Sequence, residues 1–180
     1  GVLSAAISQA SLSKTYQTTG YHGFAVRGVG LGGQAVSVEF DENQGPVVVD
    51  IMGSWCPNCM DETRLLNELS AVYPDVPIVT LAYERMVGEE AIRRLQAFQA
   101  EMNISWPVIL AGPASKQHAS DQFPNLNGVQ SFPTTLFWGG SSECVVHSGF
   151  SGPATGEGYR EEEQLFRAQF QRLNDLMETR

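Results

Sequence analysis

The sequence predicts an α/β domain built on a mixed sheet between layers of helices, and three observations predict it. Residues 46–52 and 76–83 are nearly continuous apolar runs, as expected of strands buried on both faces. Each is followed by apolar residues that recur at helical spacing. Near the carboxyl end, two short apolar segments flank Gly139-Gly140-Ser141-Ser142, a hairpin signal, and an amphipathic helix closes the chain. Strand-helix-strand-helix-strand calls for parallel pairing and the hairpin for antiparallel pairing, hence a mixed sheet.

The elements follow in order. Residues 1–23, rich in Ser, Ala, Thr and Gln, have weak periodicity and read as an arm or the end of a linker, leaving 24–180 as one domain. Val36, Val38 and Phe40 alternate with polar residues, so 34–40 is a half-buried strand. The turn Asp41-Glu42-Asn43-Gln44-Gly45 leads into Pro46 to Met52. A helix is expected from Pro57 to Val72, with Leu65, Leu69 and Val72 on one side and Pro74 as its stop. After the strand at 76–83, Ala91, Leu95, Phe98 and Met102 mark a second helix face. A third strand covers Trp106 to Leu110 and a short helix 114–122. Thr134 to Trp138 and Glu143 to Ser148 form the hairpin. The last helix starts near Tyr159, with Leu165, Phe166, Phe170, Leu173 and Met177 facing inward.

Composition narrows the function. With 180 residues and 42% hydrophobic content the chain can build one full-sized core without disulfide staples. Its net charge of −9 argues against nucleic acid or an anionic membrane as partner. No apolar run approaches the roughly 20 residues of a membrane-spanning helix. The chain opens at Gly1 without a signal segment and reads as a processed or excised piece. Three cysteines fit one Cys-x-x-Cys pair and one leftover rather than a disulfide framework.

Chemistry concentrates in Trp55-Cys56-Pro57-Asn58-Cys59, at a strand-to-helix junction. With the helix starting at Pro57, the Cys56 sulfur sits over free backbone N–H groups, and these together with the helix dipole favour a thiolate. Cys59, one turn on, can attack a mixed disulfide formed by Cys56 and close an internal disulfide. Proline suits the first helical position. Asp50 is a charge within a buried strand and must be paired, neutral or functional. Glu62 lies on the Cys59 face of the helix, either as a solvated carboxylate near the helix start or as a group that tunes the cysteines. Cys144-Val145-Val146-His147 could add a Cys-x-x-His to the Cys-x-x-Cys for zinc, but residues three apart in a strand point to opposite faces. Cys144 then reads as a partly buried small hydrophobe and His147 as an exposed or hydrogen-bonded strand residue. Gly28-Val29-Gly30-Leu31-Gly32-Gly33 matches a dinucleotide fingerprint only formally, since a strand and not a helix follows.

Val47 to Cys59 resembles the strand, turn and active-site helix of thioredoxin-fold proteins, and Ser131-Phe132-Pro133-Thr134-Thr135 resembles their cis-proline segment. The 77-residue interval from Cys56 to Pro133 and the glutamate three residues after Cys59 are similar to the TlpA/ResA-like thiol–disulfide oxidoreductases. That resemblance implies a thioredoxin-like fold with an amino-terminal strand extension and a central strand/helix insertion. It implies exchange of disulfides with partner proteins through Cys56 and Cys59, most simply as a reductase, with Asp50 or Glu62 handling the Cys59 proton. By the same resemblance Asp50 has a raised pKa, a cis Phe132–Pro133 bond presents backbone groups to an extended substrate, and Trp55 covers the pair. It further implies an extracytoplasmic location, a membrane or soluble thiol donor for recycling, and no cofactor: neither metal, flavin nor nicotinamide. The Pro57-Asn58 dipeptide and the glycine-rich segment 149–158 depart from the common pattern. Two other functions are compatible with this fold. A redox-silent or zinc-binding module is one, and a peroxiredoxin-type thiol peroxidase is the other, though it should carry threonine where Gly53 stands.

Overall fold

The strands that carry the chemistry lie in the middle of one eight-stranded sheet. The computed structural model of the protein describes residues 14–18, 23–41, 43–140 and 143–179. Its strands are β1 (Thr15–Thr18), β2 (Gly23–Gly30), β3 (Ala35–Asp41), β4 (Val47–Met52), β5 (Ile78–Glu84), β6 (Val108–Pro113), β7 (Thr134–Trp138) and β8 (Cys144–Ser148). The helices are α1 (Pro57–Val72), α2 (Gly88–Glu101), α3 (Lys116–Gln122) and α4 (Glu157–Glu178), with one 3₁₀ turn at Pro153–Thr155. The sheet order is β1-β8-β7-β4-β5-β6-β2-β3. β4, β5 and β6 pair in parallel and the other neighbours antiparallel, giving the expected mixed sheet.

Two crossovers, β4-α1-β5 and β5-α2-β6, run through a sheet that advances in one direction. The preferred right-handed connection therefore puts both helices on one face. There α1, α2 and α4 bury Leu65, Leu66, Leu69, Leu95, Phe98 and Phe166 against Val48, Met52, Ile78 and Phe137. The opposite face packs Val47, Val49, Ile51, Leu81 and Trp138 against Phe24, Val26 and Phe123, under α3 and the β2–β3 hairpin.

Two sequence expectations, the amino-terminal arm and the bounds of the third strand, are corrected. Within the stretch read as an arm, residues 15–18 form an edge strand paired with β8, Thr15 opposite His147 and Thr18 opposite Cys144. Four residues are too few for alternation to register in the sequence. Residues 1–13 and 19–22, also in that stretch, lie outside the described residues. Gly28 to Gly33 is the end of β2 and its hairpin turn, closed by the Gly30 N–H on the Gln34 carbonyl at 2.8 Å. The third strand runs 108–113 rather than 106–110. Pro107, which has no N–H, serves instead as acceptor for the Thr80 N–H at 2.9 Å.

Candidate active site

β4 delivers the chain to a tight turn, and three side chains hold that turn. The Ser54 N–H donates to Glu84 Oε2 at 2.8 Å and its hydroxyl to Glu84 Oε1. Arg94 of α2 reaches the Ser54 hydroxyl and carbonyl, both at 3.3 Å. Trp55 Nε1 donates to the Tyr83 carbonyl at 2.9 Å, and the Arg85 guanidinium stacks 4.2 Å from the indole centroid. The indole passes so close to Gly53 that a Cβ there would lie 2.2 Å from Nε1. A peroxiredoxin-type threonine at this position would have to displace Trp55.

Cys56 is the N-cap of α1, where its sulfur takes the place usually held by a serine or aspartate oxygen. The Cys59 N–H donates to Cys56 Sγ at 3.3 Å, and Pro57 starts the helix. All three cysteines stand as thiols. A hydrogen bond from the Cys59 thiol, with help from the Cys59 and Asn58 backbone N–H groups, brings the Cys56 pKa down to about 7 against the opposing effects of burial and Asp50. Cys59 is 1% exposed, and burial drives its pKa far up. One sulfur is thus ready as a nucleophile near neutrality while the other keeps its proton.

Behind Cys59 lie two acids. Asp50 and Glu62 are both fully enclosed, at 1% and 0% exposure, which removes the reading of Glu62 as a solvated carboxylate. Thr80 donates to Asp50 Oδ2 at 2.9 Å and Thr135 to Glu62 Oε2 at 3.1 Å. Asp50 Oδ1 and Glu62 Oε1 have no other donor, and the two carboxyls lie within hydrogen-bond reach of each other. A proton shared between the two acids would satisfy both oxygens. Burial raises both pKa values, that of Glu62 well above the usual carboxylate range with Asp50 as the second cause.

The Phe132–Pro133 peptide is cis, and the Cys56 thiol donates to the Phe132 carbonyl at 3.5 Å. The Phe132 ring meets Trp55 edge to face, centroids 5.7 Å apart, so the two aromatics flank the way to a Cys56 that is only 6% exposed. The structure therefore brings Trp55, Cys56, Cys59, Asp50, Glu62, Phe132 and Pro133 to one place. The glycine-rich segment 149–158 borders it. A Cβ at Gly152 would lie 2.1 Å from Asp61 Oδ2 on the active-site helix.

Cys144 and His147 are not part of this cluster as a pair. Cys144 packs into the hairpin-side core, wholly rather than partly buried, with burial pushing its pKa up to about 12. His147 points to the helix side, buried and hydrogen-bonded rather than exposed. Among the described residues no group of three His, Cys, Asp or Glu side chains could hold a metal ion.

No protein-family model matches the sequence, and no curated protein is significantly similar to it; likeness appears in three dimensions. A protein provisionally assigned as the thiol:disulfide interchange protein DsbE of Chlorobium tepidum superposes with a TM-score of 0.57 at 22% identity, over 84% of this chain and 97% of that one. The thioredoxin domain of a Bacteroides vulgatus thiol-disulfide oxidoreductase gives 0.54 at 19% identity, over 82% and 96%. A secreted Mycobacterium tuberculosis disulfide oxidoreductase homologous to E. coli DsbE gives 0.50 at 19%, over 75% and 92%. The chain has the thioredoxin-like fold. Within that thioredoxin-like frame, sequence reasoning missed the groups that hold the site in place: Thr80, Glu84, Arg94 and Thr135. A charge closing the buried strand β5 was the available signal for Glu84. Thr80 and Thr135 read as ordinary strand residues, and only register shows them facing the acids.

Proposed function

We propose that the protein is a thiol–disulfide oxidoreductase of the TlpA/ResA-like kind, reducing disulfides in partner proteins outside the cytoplasm. The observation that carries this reading is the asymmetry of the two thiols: Cys56 capping a helix with a pKa of about 7, Cys59 sealed against a buried acid pair. The Cys56 thiolate attacks one sulfur of the partner's disulfide, forming a mixed disulfide and expelling the other sulfur as a thiolate. Cys59 gives its proton to the Asp50/Glu62 pair and attacks Cys56 Sγ. The Cys56–Cys59 bond forms, and the second partner sulfur leaves as a thiolate that takes up a proton. Two electrons pass from the pair to the partner, and an external thiol donor restores them. Trp55, Phe132 and Pro133 hold the substrate segment, the proline leaving no N–H to compete for its backbone.

Fold relatives described as thiol:disulfide interchange proteins and as a secreted disulfide oxidoreductase support the class and the compartment. No helix among the described residues is long and apolar enough to cross a membrane. The decisive test is the reduction potential of the Cys56/Cys59 couple in dithiothreitol and glutathione buffers. A value near −270 mV marks a reductase and one near −120 mV an oxidant. With Cys59→Ala, a mixed disulfide between Cys56 and a partner should accumulate. A couple that never forms its disulfide defeats the reading.

A further inference from the structure

Register sets five polar side chains abreast on the sheet face that α1 and α4 cover. Thr80 of β5 pairs with Asp50 of β4, Asp50 with Thr135 of β7, Thr135 with His147 of β8, and His147 with Thr15 of β1. Opposed residues on neighbouring strands hold their side chains about 5 Å apart, so the row is continuous. Every member is buried, and the adjoining row on the same face, Ile78, Val48, Phe137 and Val145, is apolar.

Helix carboxylates meet this row at two points. Glu62 of α1 sits over Asp50 and Thr135 at the thiol end. Glu162 of α4 sits over the far end, its Oε2 2.6 Å from His147 Nε2, while His147 Nδ1 lies 2.7 Å from the Thr15 hydroxyl. Glu162 Oε1 accepts the Ser151 N–H at 3.0 Å. Beyond their close contact with each other, His147 Nε2 and Glu162 Oε2 have no hydrogen-bond partner. A buried histidine–carboxylate pair is poor value for stability alone, since apolar side chains of similar volume serve as well. Its consequence lies along the row: after burial and Asp50, Glu162 is among the groups that raise the Glu62 pKa.

We propose that His147 and Glu162 are positioning residues for the proton step at Cys59, a distal histidine–carboxylate pair that sets how strongly Asp50 and Glu62 attract the proton Cys59 must release. This rests on the thiol-exchange reading above. In the resolving step the S–H bond of Cys59 breaks, its proton goes to the acid pair, and its electron pair forms the bond to Cys56 Sγ as the partner thiolate departs. The acid pair needs an open proton site at that moment. Facing Glu62 are Asp50 from β4, Cys59 from its own helix and Glu162 from α4; facing His147 are Glu162 and Thr15. Glu162 makes the acid pair a stronger base, and the His147 N–H limits that effect.

The test follows release of an aromatic thiol from a Cys56 mixed disulfide across pH 5 to 9, for the intact chain and for variants shown folded by near-ultraviolet circular dichroism. The wild-type rate should rise through one midpoint that Glu62→Gln removes. Glu162→Gln should lower that midpoint, by less than Asp50 raises it. His147→Leu, which leaves the Glu162 charge without its donor, should raise it. Opposite shifts cannot come from a merely loosened core. Superimposable profiles in a folded Glu162→Gln or His147→Leu protein overturn the proposal while leaving the role of Glu62 intact. A wild-type mixed disulfide that Cys59 never resolves instead brings down the thiol-exchange reading itself.

Discussion

Alternate residues of the same strands build two unlike faces of this sheet. On β4, Val48 and Met52 belong to the helix-side cluster with Asp50 between them, whereas Val47, Val49 and Ile51 belong to the hairpin side. On β8, Val145 shares the helix side with His147, and Cys144 and Val146 the other. The hairpin side is an apolar core in which Phe24, Phe40 and Trp138 pack ring to ring. The helix side carries, in equally deep burial, two acids by the thiols and a histidine–carboxylate pair. Cys59 and Cys144 make the contrast sharp, at 1% and 0% exposure. Burial raises the pKa of both thiols, yet of the two only Cys59 has a buried carboxyl and a second sulfur beside it. Chemistry here is a property of the face, and burial alone does not confer it.

The largest expected effect breaks the comparison at the sulfurs. Cys56→Ser should abolish reduction of a small aromatic disulfide, whereas Cys144→Ala, on the apolar side, should leave the rate unchanged and cost about 1 kcal/mol of stability in urea unfolding. In the folded protein iodoacetamide should label Cys56 with a midpoint near pH 7 and leave Cys144 unmodified until the chain unfolds. Loss of activity in Cys144→Ala would mean that the two faces are not chemically separate.

A smaller effect is expected at the acids. Glu62→Gln or Asp50→Asn should slow the resolving step at pH 7 by about 100-fold, the usual scale for a lost proton acceptor. Stability should move the other way. Both acids have folded pKa values above their unfolded ones, so the folded state binds their protons more tightly. That contribution is complete below the unfolded carboxylate range and is lost as pH rises through the raised folded values. Either variant should therefore be more stable than the wild type at pH 8, with the gap closing toward pH 4. Urea midpoints measured at pH 4, 6 and 8 check the sign, and a wild type that gains stability over that range would contradict it.

How much of this was legible beforehand follows the same division. Apolar runs and helical spacing announced β4, β5, β7, α1, α2 and α4, because their burial patterns are long enough to read. Cys56, Cys59 and Pro133 announced themselves by spacing, and Asp50 by being charged in an apolar run. The edge strand β1 and the inner strand β2 left weak traces. β1 is four residues long, and β2 has three glycines among its eight residues, so backbone pairing rather than side-chain pattern holds them. Glu62 was ambiguous because a carboxylate near a helix start is favoured by the dipole whether it is buried or not. The polar row was invisible, since it is made by registers between strands far apart in sequence, and no local pattern records which residue faces which.

The finest distinction between the faces rests on one hydroxyl. Thr135 sits in register between Asp50 and His147 and donates to Glu62 Oε2 at 3.1 Å, a bond that favours the ionised acid and opposes burial. Thr135→Val keeps volume and β-branching while removing that donor. Glu62 should then hold its proton to higher pH, and the midpoint of the resolving step should rise. A hydrogen bond of about 1 kcal/mol corresponds to somewhat under one pH unit, so the rate at pH 7 should fall by less than tenfold. The paired substitution on the other face is Leu136→Ala, which should cost about 3 kcal/mol by opening a cavity and leave the midpoint where it was. If Leu136→Ala shifted the midpoint as far as Thr135→Val, proton affinity at Glu62 would depend on packing across the whole sheet and not on the face that carries the acids.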